Sequence, residues 1–500
     1  MVRFLGEIIK SIKKHGNNNV LCIEGVVYTY NQFADEISKI RSEVKSQAKE
    51  TDKLIGLVTN DDIQTYASIV ALWLEGKAYV PVNPNVPIER NLRIFDLTEV
   101  KFILDSSSKS IYEEKYQVIN SKLLPNTDTN LNIEAFDVEN LAYVLFTSGT
   151  TGNPKGVPIT FSNLNGLVNA IEAEITFNLV PSDKCLQMFE LTFDFSVVAY
   201  LFPILSGACI YTIPKNTIKY FYIFKLIIEQ NLTVLTMVPS IINYLRPYFP
   251  EINAPSVRYC SFGGGSLHSD IASEWSNCLP NCQIFNYYGP TEFTVYSGFY
   301  PYNKNTDTKS YNGIVSIGTP QYGTKYLLVD KNNKEVEQGD KGELCLAGVQ
   351  ITPGYWKNEE KNMKSFFLKE ENSITTRYYK TGDVCIKDND GDYLYVARSD
   401  FQVKIRGYRV ELAEIEFHAK IKLETKVAIV ALDIENALGN AELALALEGD
   451  PFDTKHIFEY MKSVMPDYMV PGHMKFVKEF PHNINGKVDR KKLKAYFNLT

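Results

Sequence analysis

The run 147–157 reads Thr147-Ser148-Gly149-Thr150-Thr151-Gly152-Asn153-Pro154-Lys155-Gly156-Val157, four hydroxyls, three glycines and one lysine in a single loop. Glycine takes positive φ without steric cost, so successive backbone N–H groups there can converge on an anion. The hydroxyls add donors and Lys155 adds a mobile positive charge. This is phosphate-holding chemistry. The spacing Gly-x-x-Gly-x-x-Lys, with no hydroxyl after the lysine, sets it apart from a Walker A loop. A second candidate is Asp194, in Thr192-Phe193-Asp194-Phe195-Ser196. No arginine or lysine lies within nine residues on either side, the nearest being Lys184. A carboxylate between two phenylalanines is costly to bury unless something pairs with it. A bound cation, a helix N-cap or an ion pair with a distant residue would each answer that. A third is Lys487, on the polar turn Asn485-Gly486-Lys487.

These residues need a scaffold, and the hydropathy pattern supplies one. The apolar run 141–146 reads as a strand feeding straight into the loop. Before it, strand-like runs at 54–58, 78–82, 102–104 and 116–118 alternate with a helix over 65–76, the pattern of a largely parallel α/β sandwich. After it come a helix over 162–177 with Ser162 as its cap, then strands at 233–237, 259–262 and 284–288. The segments 326–330 and 342–347, joined by a polar turn, form a hairpin of a more β-rich region. Near Asp400 the pattern changes: an acidic-start helix over 411–420 and strands at 427–432 and 441–448 predict a small α+β domain. The expected fold is therefore α/β, with a large N-terminal domain, 1–399, of layered α/β subdomains plus a β-rich subdomain. A small, mobile α+β domain, 400–500, follows.

Five hundred residues exceed what a single core usually serves. With 45% hydrophobic and 22% charged residues the composition is that of a soluble globular chain. A net charge of −7 offers no field for nucleic acid or an anionic membrane, so neither is expected as a partner. The eight cysteines are scattered, mostly in apolar runs, which fits a reducing compartment. Cys278 and Cys282 have no second Cys/His pair nearby to complete a zinc site. The N-terminus reads as an amphipathic surface helix rather than a signal peptide, and 197–213 as a buried helix, turn and strand rather than a membrane span. A cytoplasmic location is expected.

Five segments occur in the order and spacing of adenylate-forming enzymes: the loop 147–157, Asn286-Tyr287-Tyr288-Gly289-Pro290-Thr291-Glu292, Tyr379-Lys380-Thr381-Gly382-Asp383, the run 402–411, and Asn485-Gly486-Lys487. The chain resembles that superfamily, which includes non-ribosomal peptide synthetase adenylation domains, acyl- and aryl-CoA synthetases and luciferases. Within it the chain looks most like free-standing amino-acid-activating enzymes of the D-alanine–carrier protein ligase type. The resemblance implies ATP and Mg²⁺ as cofactors and two half-reactions. A carboxylate attacks the α-phosphate to give an acyl-adenylate, and a phosphopantetheine thiol of a carrier protein then takes the acyl group. It implies a β/γ-phosphate clamp from Thr147, Ser148 and Lys155, and adenine contacts from Asn286 and Tyr288 in the stretch that also holds Tyr287, Gly289 and Pro290. Thr291 would touch the α-phosphate, and Glu292 would hold Mg²⁺. Asp383 would accept from the ribose, assisted by Arg398 in Tyr395-Val396-Ala397-Arg398, where the family often has glycine in place of Ala397. Lys487 would be the catalytic cation, alongside Glu292 and Thr147, and Asp400 the hinge.

By the same resemblance Asp194 would pair with a substrate ammonium, which acyl-CoA synthetases of fatty or aryl acids do not require. Phe195, Val198, Ser240, Ser261, Gly263, Tyr287, Val295 and Tyr296 would wall the side-chain pocket. The large aromatics favour a small amino acid such as alanine, glycine or serine, with D-alanine leading. Gly263, where D-alanine ligases tend to have cysteine, opens space there. The alternative is a coenzyme A ligase for a small carboxylic acid. A non-catalytic nucleotide-binding scaffold is disfavoured because Lys487, Glu292 and Asp383 are all present. No carrier-type attachment segment follows Arg490, so the carrier protein is expected to act in trans.

Overall fold

The computed structural model describes residues 2–149, 154–174, 178–304, 306, 308–371, 373–400, 402–422, 427–482 and 488–497. Strand Leu141–Thr147 forms next to the edge of a six-stranded sheet, where Tyr79 registers with Tyr143 in parallel and Lys155–Thr160 returns antiparallel. Leu54–Val58, Ala78–Val82, Phe102–Asp105 and Gln117–Asn120 complete this sheet, all parallel. Parallel strands covered on both faces read as continuous apolar runs, and Ala78–Val82 is buried at every residue.

A second, nine-stranded sheet carries the rest of the large domain. Its centre is parallel: Gln283–Tyr288, Tyr259–Phe262, Val234–Met237, Lys184–Gln187 and Cys209–Thr212 lie side by side. One apolar core fills the space between the two sheets. There Trp73 donates to the Ala142 carbonyl at 2.9 Å and the Tyr79 and Tyr200 hydroxyls meet at 3.0 Å. The helix after the anion loop runs Phe161–Ala173. Its cap is Thr160 rather than Ser162, because Thr160 and Asn163 bond each other's backbone in a capping box. The predicted buried helix, turn and strand are Phe195–Ser206, Gly207 in the left-handed region and Cys209–Thr212.

The hairpin predicted in the β-rich region is Thr324–Val329 with Lys341–Gly348, part of a five-stranded antiparallel sheet whose strands Ile374–Lys387 and Tyr393–Arg398 reach toward the nucleotide-side residues. Beyond residue 402 the chain packs around two apolar clusters of its own. This C-terminal domain contains the hairpin Gln402–Ile405/Tyr408–Glu411, helix Leu412–Ile421, and a three-stranded sheet of Ile429–Glu435, Ala441–Glu448 and His473–Val477. Among the described residues no helix is long and apolar enough to cross a membrane.

Candidate active site

The large domain and the C-terminal domain enclose two cavities, and the hairpin 402–411 stands between them. The larger, about 850 Å³, is lined by Asn286, Tyr287, Tyr288, Gly289, Asp383, Tyr395, Arg398 and Asp400 on one side and by Lys404, Arg406 and Gly407 on the other. The smaller, about 70 Å³, is lined by Thr147, Ser148, Asp194, Thr291, Tyr408 and Arg409. The first strand and turn of the hairpin thus face the larger cavity, and Tyr408 and Arg409 of the second strand face the smaller. Residues far apart in the chain meet here because both sheets end their parallel strands at this edge, the usual position for a ligand crevice in α/β sheets.

On the larger cavity Asp383 is held from two sides. The Tyr288 hydroxyl donates to its Oδ2 at 2.5 Å and Arg398 Nη1 to its Oδ1 at 3.0 Å. Such a carboxylate keeps acceptor capacity for a hydroxyl pair. Arg398 also grips Asp400, with Nε and Nη2 each 2.7 Å from an oxygen, and the amide of Gln402 donates to Asp400 Oδ1 at 3.2 Å. The candidate hinge is therefore pinned in this pose. Asn286 spends its amide group on the carbonyls of Ser316 (2.8 Å) and Val315 (3.3 Å), so its side-chain oxygen is what it can offer a base. Gly289 is required where it stands, since a Cβ would lie 2.1 Å from the Val295 carbonyl. Thr294 and Val295 then take φ of +50° and +71°, and two β-branched residues in the left-handed region store roughly 1–3 kcal/mol each.

Asp194 sits at the start of helix Phe195–Ser206 but its side chain makes no capping bond. It is 3% exposed, and its Oδ1 has no hydrogen-bond partner among the described residues. Burial pushes its carboxyl up to about 6, against a hydrogen bond from Thr291, and Glu292 adds to the rise by like charge. Among the described residues, neither a capping bond nor an ion pair accounts for this carboxylate. Phe195 packs on Phe193 (ring centroids 5.4 Å) and edge-on to Tyr296 (5.1 Å), while Tyr287 and Tyr296 stack at 4.2 Å. The expectation that Gly263 opens the pocket is overturned. A Cβ on Gly263 would lie 2.2 Å from Phe195 Cε1, so the phenyl ring already occupies the room the glycine leaves. Behind it Val198, Ser261, Tyr287 and Tyr296 line a separate void of about 20 Å³.

The described ends of the loop 147–157 are engaged by the C-terminal segment. Gly149 N donates to Glu414 Oε2 (2.9 Å), Lys155 Nζ to Glu411 Oε1 (2.8 Å), and Ser148 Oγ to the Arg409 carbonyl (2.8 Å) while accepting from Glu411 N (3.1 Å). Thr147 Oγ1 is buried, with no partner among the described residues. Burial lowers the Lys155 pKa and the Arg409 charge lowers it further, with Glu411 opposing both. Glu292, which follows Pro290 and Thr291 in a short 3₁₀ turn, is fully buried. Both its oxygens lie 2.7 Å from Arg409 Nη1, and the Tyr355 hydroxyl donates to it at 2.6 Å. Burial alone would raise its carboxyl; Arg409, Tyr355 and Lys155 hold it down to about 2 instead. Lys487 lies outside the described residues, as do Thr150–Asn153 of the loop. Sequence reasoning assigned no role to Lys404, Arg409, Glu411 or Glu414. The run 402–411 flagged the first three, but nothing in one dimension says that they reach residues more than a hundred positions away.

The chain's relatives include gramicidin S synthase 1 of Brevibacillus brevis, 29% identical over 97% of this chain and 43% of that protein. Tyrocidine synthase 3 of Brevibacillus parabrevis is 29% identical over 94% of this chain and 7% of its own length. This chain thus spans less than half of either synthase. The D-alanine–D-alanyl carrier protein ligase of Bacillus licheniformis is 27% identical over 98% of this chain and 99% of the ligase. Among solved structures, the Vibrio cholerae adenylation domain AlmE in complex with glycyl-adenosine-5′-phosphate superposes with a TM-score of 0.87 at 22% identity, covering 99% and 98% of the two chains. That likeness shows the fold. A sequence model described as AMP-binding enzyme matches residues 9–356, well over half of the chain. This chain belongs to the AMP-binding enzyme family.

Proposed function

We propose that the chain uses ATP to activate a small amino acid as its aminoacyl-adenylate and passes it to the phosphopantetheine thiol of a carrier protein, D-alanine being the first candidate. The observation that carries this reading is the buried carboxylate of Asp194, with an oxygen left unpartnered among the described residues beside Thr291. A carboxylate in that position asks for an ammonium, which a simple carboxylic acid lacks. Phe195, packed into the space over Gly263, narrows the pocket and favours a small side chain. The full-length match to a D-alanine–carrier protein ligase agrees with this, and glycine, present as the adenylate in the AlmE structure, is the next candidate. All eight cysteines are free, in keeping with the cytoplasm, where ATP is available.

The residues fit the cofactors. The loop 147–157 offers backbone N–H, hydroxyl and ammonium donors to a triphosphate. Among the described residues no group of three or more His, Cys, Asp or Glu could hold a metal by itself. A single ionised carboxylate such as Glu292 is what Mg²⁺ uses when phosphates and water complete its shell. When bound, Mg²⁺ neutralises phosphate charge. Asp194 orients the amino acid by its ammonium, Asp383 holds the ribose, and Lys487 steadies charge on the non-bridging oxygens as the carboxylate attacks phosphorus. The domain beyond Asp400 turns about that residue, bringing Lys487 for the first step and the face around Gly407-Tyr408 for the second. ATP–pyrophosphate exchange across a panel of D- and L-amino acids tests the reading. It stands if small amino acids drive exchange. Exchange driven by acetate or benzoate but by no amino acid replaces it with a coenzyme A ligase.

A further inference from the structure

The turn that carries Tyr296 is held by two buried glutamines that no motif singles out, Gln321 and Gln350. Thr294 and Val295, with φ of +50° and +71°, put a left-handed kink between Glu292 and Tyr296. Gln350 Nε2 donates to the Tyr296 carbonyl at 2.7 Å, with the Thr294 and Phe293 carbonyls at 3.4 and 3.5 Å. Gln321 Nε2 donates to the same Tyr296 carbonyl at 2.8 Å and to Gln350 Oε1 at 3.0 Å. The Thr294 hydroxyl returns a bond to the Gln350 carbonyl at 2.6 Å. Gln350 is itself anchored. Asn163, in helix Phe161–Ala173, donates to the carbonyls on either side of it, Val349 at 2.6 Å and Ile351 at 3.1 Å. Glu292 on the same turn has holders of its own, since the Thr352 amide donates to its carbonyl at 2.9 Å and the Tyr355 hydroxyl to its carboxylate. The glutamines therefore bear on Tyr296, whose ring stacks on Tyr287 and meets Phe195 edge-on.

Burying a polar side chain costs free energy unless its groups are bonded, and Gln321 Oε1 has no partner among the described residues. Apolar side chains of the same length would fill this space without that cost. They would offer no donor to the carbonyls of a turn in which two β-branched residues hold positive φ, and such backbone persists only where its surroundings over-determine it. Neither glutamine lines the two cavities of the site, so neither is placed to touch substrate or nucleotide. We propose that Gln350 and Gln321 are specificity-positioning residues: they hold the Tyr296 backbone in this turn, and through it the ring that sets the depth of the amino-acid pocket. This rests on the reading of Asp194 and Phe195 as an amino-acid site. Pocket size is then governed from behind its wall, by a chain of bonds running from Asn163 through Gln350 to Tyr296.

Gln350→Met keeps the length of the side chain and removes the donor. In ATP–pyrophosphate exchange, the preference of the variant for D-alanine or glycine over leucine of either configuration, read as a ratio of kcat/KM values, should fall about tenfold. KM for the small amino acid should rise while KM for ATP stays as it was, because Glu292 keeps its own bonds. A folded variant with unchanged preference overturns the proposal whatever its Tm, since the glutamines would then serve stability alone. Equal rises in both KM values overturn it as well, because the whole turn would then have been lost. Hydrogen–deuterium exchange on the full chain needs no substrate. Peptides covering 293–297 should exchange about tenfold faster in the variant, the loss expected for one net hydrogen bond, while those covering 284–288 stay protected. Unchanged protection of 293–297 overturns the proposal. If no amino acid drives pyrophosphate exchange even in the unaltered protein, the amino-acid reading fails by itself, and this protection pattern still decides whether the glutamines hold Tyr296. Should Gln350→Met not fold, Gln321→Met removes one of the two donors on the Tyr296 carbonyl and gives the same readouts.

Discussion

Replacing Asp194 by asparagine separates a ligand-binding carboxylate from a structural one. Burial raises the Asp194 carboxyl from 3.8 to about 6, and the side chain is enclosed. That rise corresponds to roughly 3 kcal/mol against the charged form. For an acid whose folded pKa is raised, the folded state binds more protons than the unfolded one. The penalty is therefore present in full above about pH 6 and fades as pH falls through 6 toward 3.8. Asp194→Asn keeps the shape and removes the charge, so its Tm should equal or exceed that of the unaltered protein above pH 6, with the difference shrinking by pH 4. An incoming ammonium relieves the penalty in the unaltered enzyme, and losing a buried charge pair of this kind typically costs about 3–5 kcal/mol. The KM for the amino acid in ATP–pyrophosphate exchange should rise at least about 100-fold. The amino acid should also raise the Tm of the unaltered protein and not that of the variant. In the unaltered enzyme the same KM should climb as pH drops below about 6, when Asp194 takes up a proton. A variant that unfolds more easily while keeping its KM within threefold would mean that Asp194 serves the fold, and the reasoning fails.

Phe195→Ala should enlarge the amino-acid pocket toward the void behind Val198 and Ser261. It should improve kcat/KM for amino acids one or two methylenes larger by about 10- to 200-fold relative to the small substrate, at about 3–5 kcal/mol of stability by chemical denaturation. Lys487→Ala should slow adenylation, read by pyrophosphate exchange, by about 10²–10³, while thiol transfer from pre-formed adenylate stays near the starting rate. Equal loss in both half-reactions would count against the assigned role. Asp400→Pro removes the bonds Asp400 makes to Arg398 and stiffens the junction. It should depress one half-reaction far more than the other in single-turnover assays, and full rates in both would rule out a hinge there.

Much of the frame is legible in the chain taken alone. The strand rich in branched and aromatic residues that runs into the glycine- and hydroxyl-rich segment at 147–155 was readable, because apolar patterning and glycine content are local properties. The isolation of Asp194 from any nearby cation was equally visible, since it needs only a count along the sequence. The cap of the following helix lies two residues from the one expected because Thr160 and Ser162 are both good caps, and the reciprocal bond with Asn163 decides between them. Three dimensions decided the rest. Whether Gly263 leaves a hole depends on which rotamer Phe195 adopts, and packing against Phe193 and Tyr296 turns its ring into that space. That Arg409 pairs with Glu292, Glu411 with Lys155, and Glu414 with the Gly149 amide depends on where the C-terminal segment docks. Charge pairing across more than a hundred residues is a matter of distance in space, and a sequence specifies such distances only through the fold it adopts.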